Sequence, residues 1–275
     1  MKRARLKNWQ YLSGLFCVLI WSSCNILDPS EEEYLPVEGN ICFKLWERYP
    51  PWDLKEPPKI QIRLQTEKEY PHTGFDIIAT MITHGNTISI KIDGIKNWNA
   101  GGDAISSAYW ETFLDLSNGT YYLSVTNMHK MRAVDSYTII VNENSIKIEK
   151  KNQRFTIPEY ALYWRYPKNS FAYTCKTLKK DSLLCYNFID SLKKIIKLEP
   201  IHFPDDGINP YFTQSLPGRH YHHKNLYFHY FNESDYLKAR DFLIDYTQNV
   251  IPNYEWVSIS LVSWDNVTYK SSMYD

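Results

Sequence analysis

The chain has 275 residues, enough for two ordinary domains, and its 31 basic residues balance 31 acidic ones. A nucleic-acid-binding protein usually carries a basic surplus or a basic stripe, and this sequence shows neither, so we expect no nucleic-acid partner. Five cysteines are too few for a disulfide framework, which excludes a small cystine-stapled scaffold.

The first 23 residues have the layout of a secretory signal. MKRARLKNWQ carries four basic side chains and no acid, an apolar run follows from about residue 11 to residue 21, and two serines come next. A membrane-spanning helix needs about twenty apolar residues, roughly twice this run. The sequence therefore predicts a signal peptide over residues 1–23. Its removal leaves 27 basic against 31 acidic residues.

Cys24 stands directly after the apolar run and the two serines. Residues 20–24, IWSSC, resemble a bacterial lipobox, in which the cysteine is acylated and becomes the new N-terminus. Trp21 departs from that pattern, because a smaller aliphatic residue is usual there. The resemblance implies that Cys24 is the lipid attachment site and that its acyl chains hold the protein on a membrane. The alternative is an ordinary signal peptide cut nearby, which leaves a free thiol.

Residues 24–39 are predicted to be a disordered tether, because they contain Pro, Gly and a charge run but little apolar area. Fully extended, the fifteen residues after Cys24 reach roughly 50 Å. The SEEE sequence at residues 30–33 resembles the acidic export signal of surface lipoproteins of Bacteroidota-type bacteria. That resemblance implies an outer-membrane protein facing the cell exterior. A solvated spacer without further meaning is the alternative.

Residues 40–157 are predicted to form a β-sandwich, because apolar and polar residues alternate between turn signals such as Asn118-Gly119. The stretch NGTYYLSVTN…DSYTIIV resembles the late strands of immunoglobulin-like and prealbumin-like modules. The apolar positions expected on one face are, in chain order, Ile41, Phe43, Leu45, Ile60, Ile62, Leu64, Ile88, Ile90, Ile92, Tyr121, Leu123, Val125, Tyr137, Ile139, Val141, Ile146 and Ile148.

Residues 158–275 are predicted to form a small α+β domain. Helical periods appear in DSLLCYNFIDSLKKIIK and in NESDYLKARDFLIDYTQNVIP, where Asn232 or Ser234 can cap the second helix. Strand-like runs flank both helices: FAYTC, NLYFHYF, WVSISLVSW and a short one in LEPIHF. The order β-α-β-β-α-β is that of a ferredoxin-like unit.

Three cysteines, Cys42, Cys175 and Cys185, remain in the predicted mature chain, and we interpret them as small buried hydrophobic residues. The sequence leaves open whether Cys175 and Cys185 form a disulfide, because that bond requires the strand and the following helix to face each other.

Signatures of catalysis are absent from the sequence: it has no G-x-S-x-G, no P-loop, no G-x-G-x-x-G and no H-E-x-x-H. We expect no cofactor and, on balance, no enzyme. One candidate metal site is a His-rich segment in which His220 and His222 share a face if extended, with Asp205 or His202 as further ligands. A solvated loop is the alternative that we favour.

Aromatic residues make up 16% of the chain, a surplus that gives binding a physical means. Most are expected in the cores, and the candidates for a ligand-binding face are Trp52, Trp98, Tyr109, Trp110 and Trp264. The expected function is that of a non-catalytic, lipid-anchored surface protein that binds a glycan or a protein partner, as an accessory to nutrient uptake. A structural or adhesive component of a surface assembly is the first alternative, and a metal-dependent hydrolase is the second.

Overall fold

The computed structural model describes residues 34–50, 56–99, 102–129, 133–211 and 220–274. Pro36–Asp275 forms one compact unit. The prediction of a mainly β protein is confirmed, and its strands form a large sheet and a second, smaller sheet. The predicted signal peptide, Cys24 and residues 25–33 of the tether lie outside the described residues. The predicted end of the tether at residue 39 is wrong, because Val37 is buried in the core of the large sheet. Within those residues, no helix has both the length and the apolar character that crossing a membrane requires.

The large sheet contains ten strands in the order β10-β8-β7-β6-β4-β3-β5-β2-β1-β9. All of the apolar residues that the alternation predicts on one face of these strands are buried. The reason is that side chains alternate between the two faces of a strand. The strands are β1 Ile41–Arg48, β2 Lys59–Tyr70, β3 Phe75–His84, β4 Thr87–Asn97, β5 Ser106–Leu114, β6 Gly119–Asn127, β7 Ala133–Val141, β8 Ser145–Asn152, β9 Thr156–Pro158 and β10 Leu162–Trp164.

This sheet curls until the inner faces of its two ends meet. The ring of Phe43 on β1 lies 4.9 Å from that of Tyr137 on β7, although five strands separate β1 from β7 in the sheet. A bulge in β4 contributes to the bend: Asp93 is the extra residue, and the next residue, Gly94, has a φ of 147°, which favours glycine. The sequence analysis did not predict β3 or β5, which lie at the bend.

The bend leaves one edge of β3 open. Asp76 opposite Tyr109 is the only paired position of β3 and β5 among the described residues, and beyond it the two strands diverge. Residues 78–84, IATMITH, contain no Lys and no Pro, the residues that usually protect an edge. The side chain of Ile82 on this segment is 65% exposed.

A buried carboxylate fastens the end of the large sheet. Asp135 on β7 is fully buried and accepts hydrogen bonds from the backbone N–H groups of Arg154, Phe155 and Thr156, at 2.8, 3.0 and 2.7 Å. The Thr156 hydroxyl donates a fourth, at 2.6 Å. Burial opposes ionisation, but these donors together hold the pKa of the Asp135 carboxyl below its ordinary value. These four hydrogen bonds hold β9 in its position beside β1.

The second sheet has the order β12-β14-β11-β15-β16, and β13 pairs with the distal part of β11. All of its described pairings are antiparallel. The elements in chain order are β11 Ser170–Leu178, α1 Leu183–Ile195, β12 Glu199–Ile201, β13 His220–His222, β14 Leu226–His229, α2 Glu233–Asn249, β15 Val257–Ser263 and β16 Thr268–Lys270.

Both predicted helices and their four flanking strands are present. Helix α1 buries Leu184, Phe188 and Leu192 in the core of the second sheet, as the spacing of apolar residues predicts. The same spacing predicts that Ile195 is buried, which is wrong, because Ile195 in the last turn is 50% exposed. Helix α2 begins after Asn232, whose side chain accepts a hydrogen bond from the backbone N–H of Asp235. The predicted cap is therefore confirmed.

Cys175 and Cys185 form a disulfide, so the interpretation of both as free buried hydrophobic residues is wrong. Strand β11 and helix α1 face each other with the two Cα atoms 5.7 Å apart, which is within the range for a disulfide. Closing so short a loop contributes about 2–3 kcal/mol in the chain-entropy account. Cys42 is a free, partly exposed thiol, and burial together with the charge of Glu67 raises its pKa.

The two sheets meet at the end of β1. Glu47 continues the inward face of β1, is 4% exposed, and accepts hydrogen bonds from Arg165 Nε and from the backbone N–H of Tyr166, both at 2.7 Å. Desolvation nevertheless raises the pKa of Glu47, and the charge of Arg165 only partly offsets that effect. The Tyr49 hydroxyl reaches the second sheet, where it donates to the carbonyl oxygens of Ser263 and Trp264.

Candidate functional site

A row of polar and aromatic side chains crosses the outer face of the large sheet at the bend. Tyr109 on β5 lies opposite Gln65 on β2 and opposite Asp76 on β3, and Asp76 in turn lies opposite Lys96 on β4. Residues directly opposite each other on paired strands point to the same face. The four side chains therefore form one continuous row, and Trp98 follows β4 at its end.

Trp98 and Asp76 are joined by a hydrogen bond. The indole Nε1–H of Trp98 donates to Asp76 Oδ2 over 2.8 Å, and its backbone N–H donates to Gly74 O over 2.8 Å. The ammonium of Lys96 lies 4.1 Å from the centre of the Trp98 ring, within cation–π range. Although the ring is held at these points, Trp98 is 50% exposed.

Tyr109 is held in the same way on the other side of Asp76. The guanidinium carbon of Arg63 on β2 lies 4.3 Å from the centre of the Tyr109 ring, and Arg63 Nε lies 3.8 Å from Glu111 Oε2. Tyr109 is 41% exposed. We call Arg63, Asp76, Lys96, Trp98 and Tyr109 the aromatic platform.

The aromatic platform combines the groups that recognise a polyhydroxylated ring. Two rings offer apolar faces for the C–H side of a sugar, and two fixed cations orient those rings. A carboxylate has about four acceptor positions, and the indole N–H occupies one position on Asp76, so others remain for hydroxyl donors. Arg63 Nε is buried and has no hydrogen-bond partner within the described part of the chain.

The other predicted aromatic candidates lie elsewhere. Trp110 is half-buried and packs on the core of the large sheet, and Trp264 packs in the same manner on the core of the second sheet. Trp52 is outside the described residues. We therefore place only Trp98 and Tyr109, of the five candidates, in the aromatic platform.

The predicted metal ligands are only partly described. His202 and Asp205 line a cavity of about 550 Å³ beside β14, and His222 lies on β13 opposite Lys176. The backbone of His220 is described, whereas its side chain is not. Among the residues that the structure describes, no group of three or more His, Cys, Asp or Glu side chains is arranged to hold a metal ion. The His-rich metal site stays a prediction.

Sequence reasoning missed Asp76, Lys96 and Arg63. Their place in the site depends on the contact between β3 and β5, and this contact cannot be predicted from any local sequence pattern. One signal was present: Phe75 and Ile77 alternate with polar residues just before the HGNT turn, which indicates the first strand of a hairpin.

Comparisons with protein-family models, with curated proteins and with solved structures found no match. What the protein does is therefore argued from its own residues.

Proposed function

We propose that this chain is a non-catalytic, lipid-anchored surface protein that binds a glycan through the aromatic platform. The observation that carries the proposal is the exposed pair Trp98 and Tyr109, which flank the Asp76 carboxylate on one sheet face. The rings are already oriented by Lys96 and Arg63, so little side-chain entropy is lost when a ligand stacks on them. A protein partner that offers a flat hydroxylated or apolar surface is the second ligand class, and uptake of nutrients is the process that such binding would serve.

A glycan array tests this proposal. The wild-type chain should bind a definable set of glycans, and the Trp98→Ala/Tyr109→Ala variant should bind them at least about tenfold more weakly, because each aromatic contact contributes roughly 1–3 kcal/mol. Tyr122→Ala is the matched control, since Tyr122 on β6 is 58% exposed outside the aromatic platform. Equal loss in the control, or unchanged binding in the double variant, would refute the assignment.

The membrane anchor is the second part of the proposal. It rests on the basic start, the short apolar run and the lipobox-like residues before Cys24. The acidic segment SEEE at residues 30–33 supports an outer-membrane position facing the exterior. Cys24→Ala should abolish incorporation of labelled palmitate and leave the precursor uncut at this site. Undiminished labelling of that variant would rule out Cys24 as the anchor.

The finer fold assignment is also proposed. The contact of Phe43 with Tyr137 supports an immunoglobulin-like or prealbumin-like sandwich for the large sheet. The order β12-β14-β11-β15, with α1 and α2 in the two crossovers, supports a ferredoxin-like unit for the second sheet. We propose two domains, as predicted, but with the boundary moved from residue 157. Because β10 still belongs to the large sheet and β11 begins at Ser170, residues 165–169 would be the link between the domains.

A structural role in a surface assembly is the second candidate function. The open edge of β3 at residues 78–84 favours it, because an unprotected edge can accept a strand from another chain. A wild-type chain that binds no glycan on the array but forms oligomers that Ile82→Lys disperses would establish this candidate in place of the first. A hydrolase acting through His202, Asp205, His220 and His222 would instead require near-stoichiometric metal in the purified chain.

A further inference from the structure

A separate cleft lies on the second sheet, where α2 ends. It has a volume of about 830 Å³, larger than the cavity beside His202, and falls within the usual range for small-ligand sites. Its walls come from the last turn of α2, from the segment that leads into β15, and from the residues after β16. None of the residues that line it belongs to the aromatic platform.

Three aromatic side chains line this cleft: Tyr254, Trp256 and Tyr274. Tyr254 is 37% exposed and Trp256 is 40% exposed, although both lie in a concave part of the surface. Their convergence on one cavity provides faces on which a flat or ring-shaped ligand can stack.

Polar side chains share the lining of the cleft with the aromatic rings. Gln248, Ser258 and Ser272 add donors and acceptors to the same lining.

The charge of the cleft favours an uncharged ligand. Glu255 is the charged residue of its described lining, and Glu255 Oε2 lies 3.0 Å from Lys180 Nζ. Because this carboxylate is paired with Lys180, the described lining carries no unpaired charged side chain. Hydroxyls, an amide and aromatic faces remain as the recognising groups.

We propose that this cleft is a second binding site, which takes a neutral sugar of one or two rings. Trp256 and Tyr254 would stack on the ring, and Gln248, Ser258 and Ser272 would form hydrogen bonds with its hydroxyls. The proposal does not depend on the aromatic platform, because the two sites share no residue.

The test uses the full-length chain labelled with 5-fluorotryptophan, in which nine tryptophans give fluorine signals. The Trp256 signal is assigned by its loss in Trp256→Phe. Maltose, cellobiose and N,N′-diacetylchitobiose are the probes. At least one should shift the Trp256 signal saturably, and Tyr254→Ala should weaken that sugar's binding at least about fivefold, because it removes one of the two stacking rings.

The Trp98→Ala/Tyr109→Ala variant separates this proposal from the glycan binding proposed above. The Trp256 shift should persist in that variant with the wild-type affinity. If none of the three sugars shifts the Trp256 signal, if Tyr254→Ala binds as the wild type does, or if the shift is lost with Trp98 and Tyr109, the second site is refuted.

Discussion

Replacing Arg165 with methionine should lower the free energy of unfolding by about 3–5 kcal/mol, because it leaves the carboxylate of Glu47 buried without its cation. Methionine keeps much of the apolar stem, but it also removes the hydrogen bonds from Arg165 Nη1 to Asn118 Oδ1 and Asn142 O, so a double-mutant cycle is needed to isolate the ion pair. Urea denaturation measures it. Lys147→Met is the matched control: it breaks the exposed pair with Glu149 at 3.0 Å and should change stability by no more than about 1 kcal/mol.

The pH dependence of this loss distinguishes charge from packing. Burial already raises the pKa of Glu47 in the folded chain, and removal of Arg165 should raise it further. A carboxyl group whose pKa is raised in the folded chain stabilises the folded chain at low pH. This stabilisation is lost as the pH rises through the folded-state pKa. The stability lost in Arg165→Met should therefore be greatest near about pH 8 and smaller near about pH 5.

A double-mutant cycle provides the complementary control. Glu47→Gln combined with Arg165→Met should cost at least about 1 kcal/mol less than the sum of the single changes, because no charge remains buried. Additive losses, or a loss in Arg165→Met that is constant with pH, would show that the ion pair is not the source of the effect.

Asp135→Asn should destabilise the chain by about 2–4 kcal/mol, because an amide cannot accept all of the hydrogen bonds that the carboxylate accepts. The pKa of Asp135 is lowered in the folded chain, so its contribution is complete above the unfolded value of about 3.9 and is lost as the pH falls through the folded-state pKa. The difference between wild type and variant should accordingly shrink below about pH 4.

Asp115→Asn is the control for this measurement, because Asp115 is exposed just after β5. It should change the free energy of unfolding by less than about 0.5 kcal/mol at any pH in the series. Equal stability of Asp135→Asn and wild type at neutral pH would mean that the four hydrogen bonds do not hold β9 in place.

The strands with strict alternation were predictable from the sequence, because a strand with one buried face has an apolar residue at every second position. Ile41, Phe43 and Leu45 mark β1, and the same alternation places Glu47 on the inner face. The helices were predictable for the corresponding reason, and Asn232 marked the start of α2. Trp98 and Tyr109 were found through their residue type alone.

The remaining features depend on contacts between distant parts of the chain. The partners of Glu47 and Asp135 come from segments far along the sequence, so neither buried carboxylate carries a local signature. The disulfide forms because β11 and α1 face each other, and the spacing of the two cysteines in the sequence does not determine whether they do. Asp76 joined the aromatic platform only through the bend of the large sheet. The cleft at Trp256 is assembled from two segments, residues 247–258 and residues 272–274.

Strand β1 also determines how the fold carries mechanical load. The compact unit begins at Pro36, and Val37 is already buried. Strand β1 then runs to Arg48, beside the contact of Glu47 with Arg165 in the link and the contact of Tyr49 with the second sheet. Tension between residue 36 and the second sheet therefore passes along the length of this strand. The hydrogen bonds to β2 lie perpendicular to β1, so such tension shears all eight paired positions together instead of unzipping them one by one. Forced extension from this end must overcome one cooperative barrier, and the rate of unfolding under force is set by that barrier.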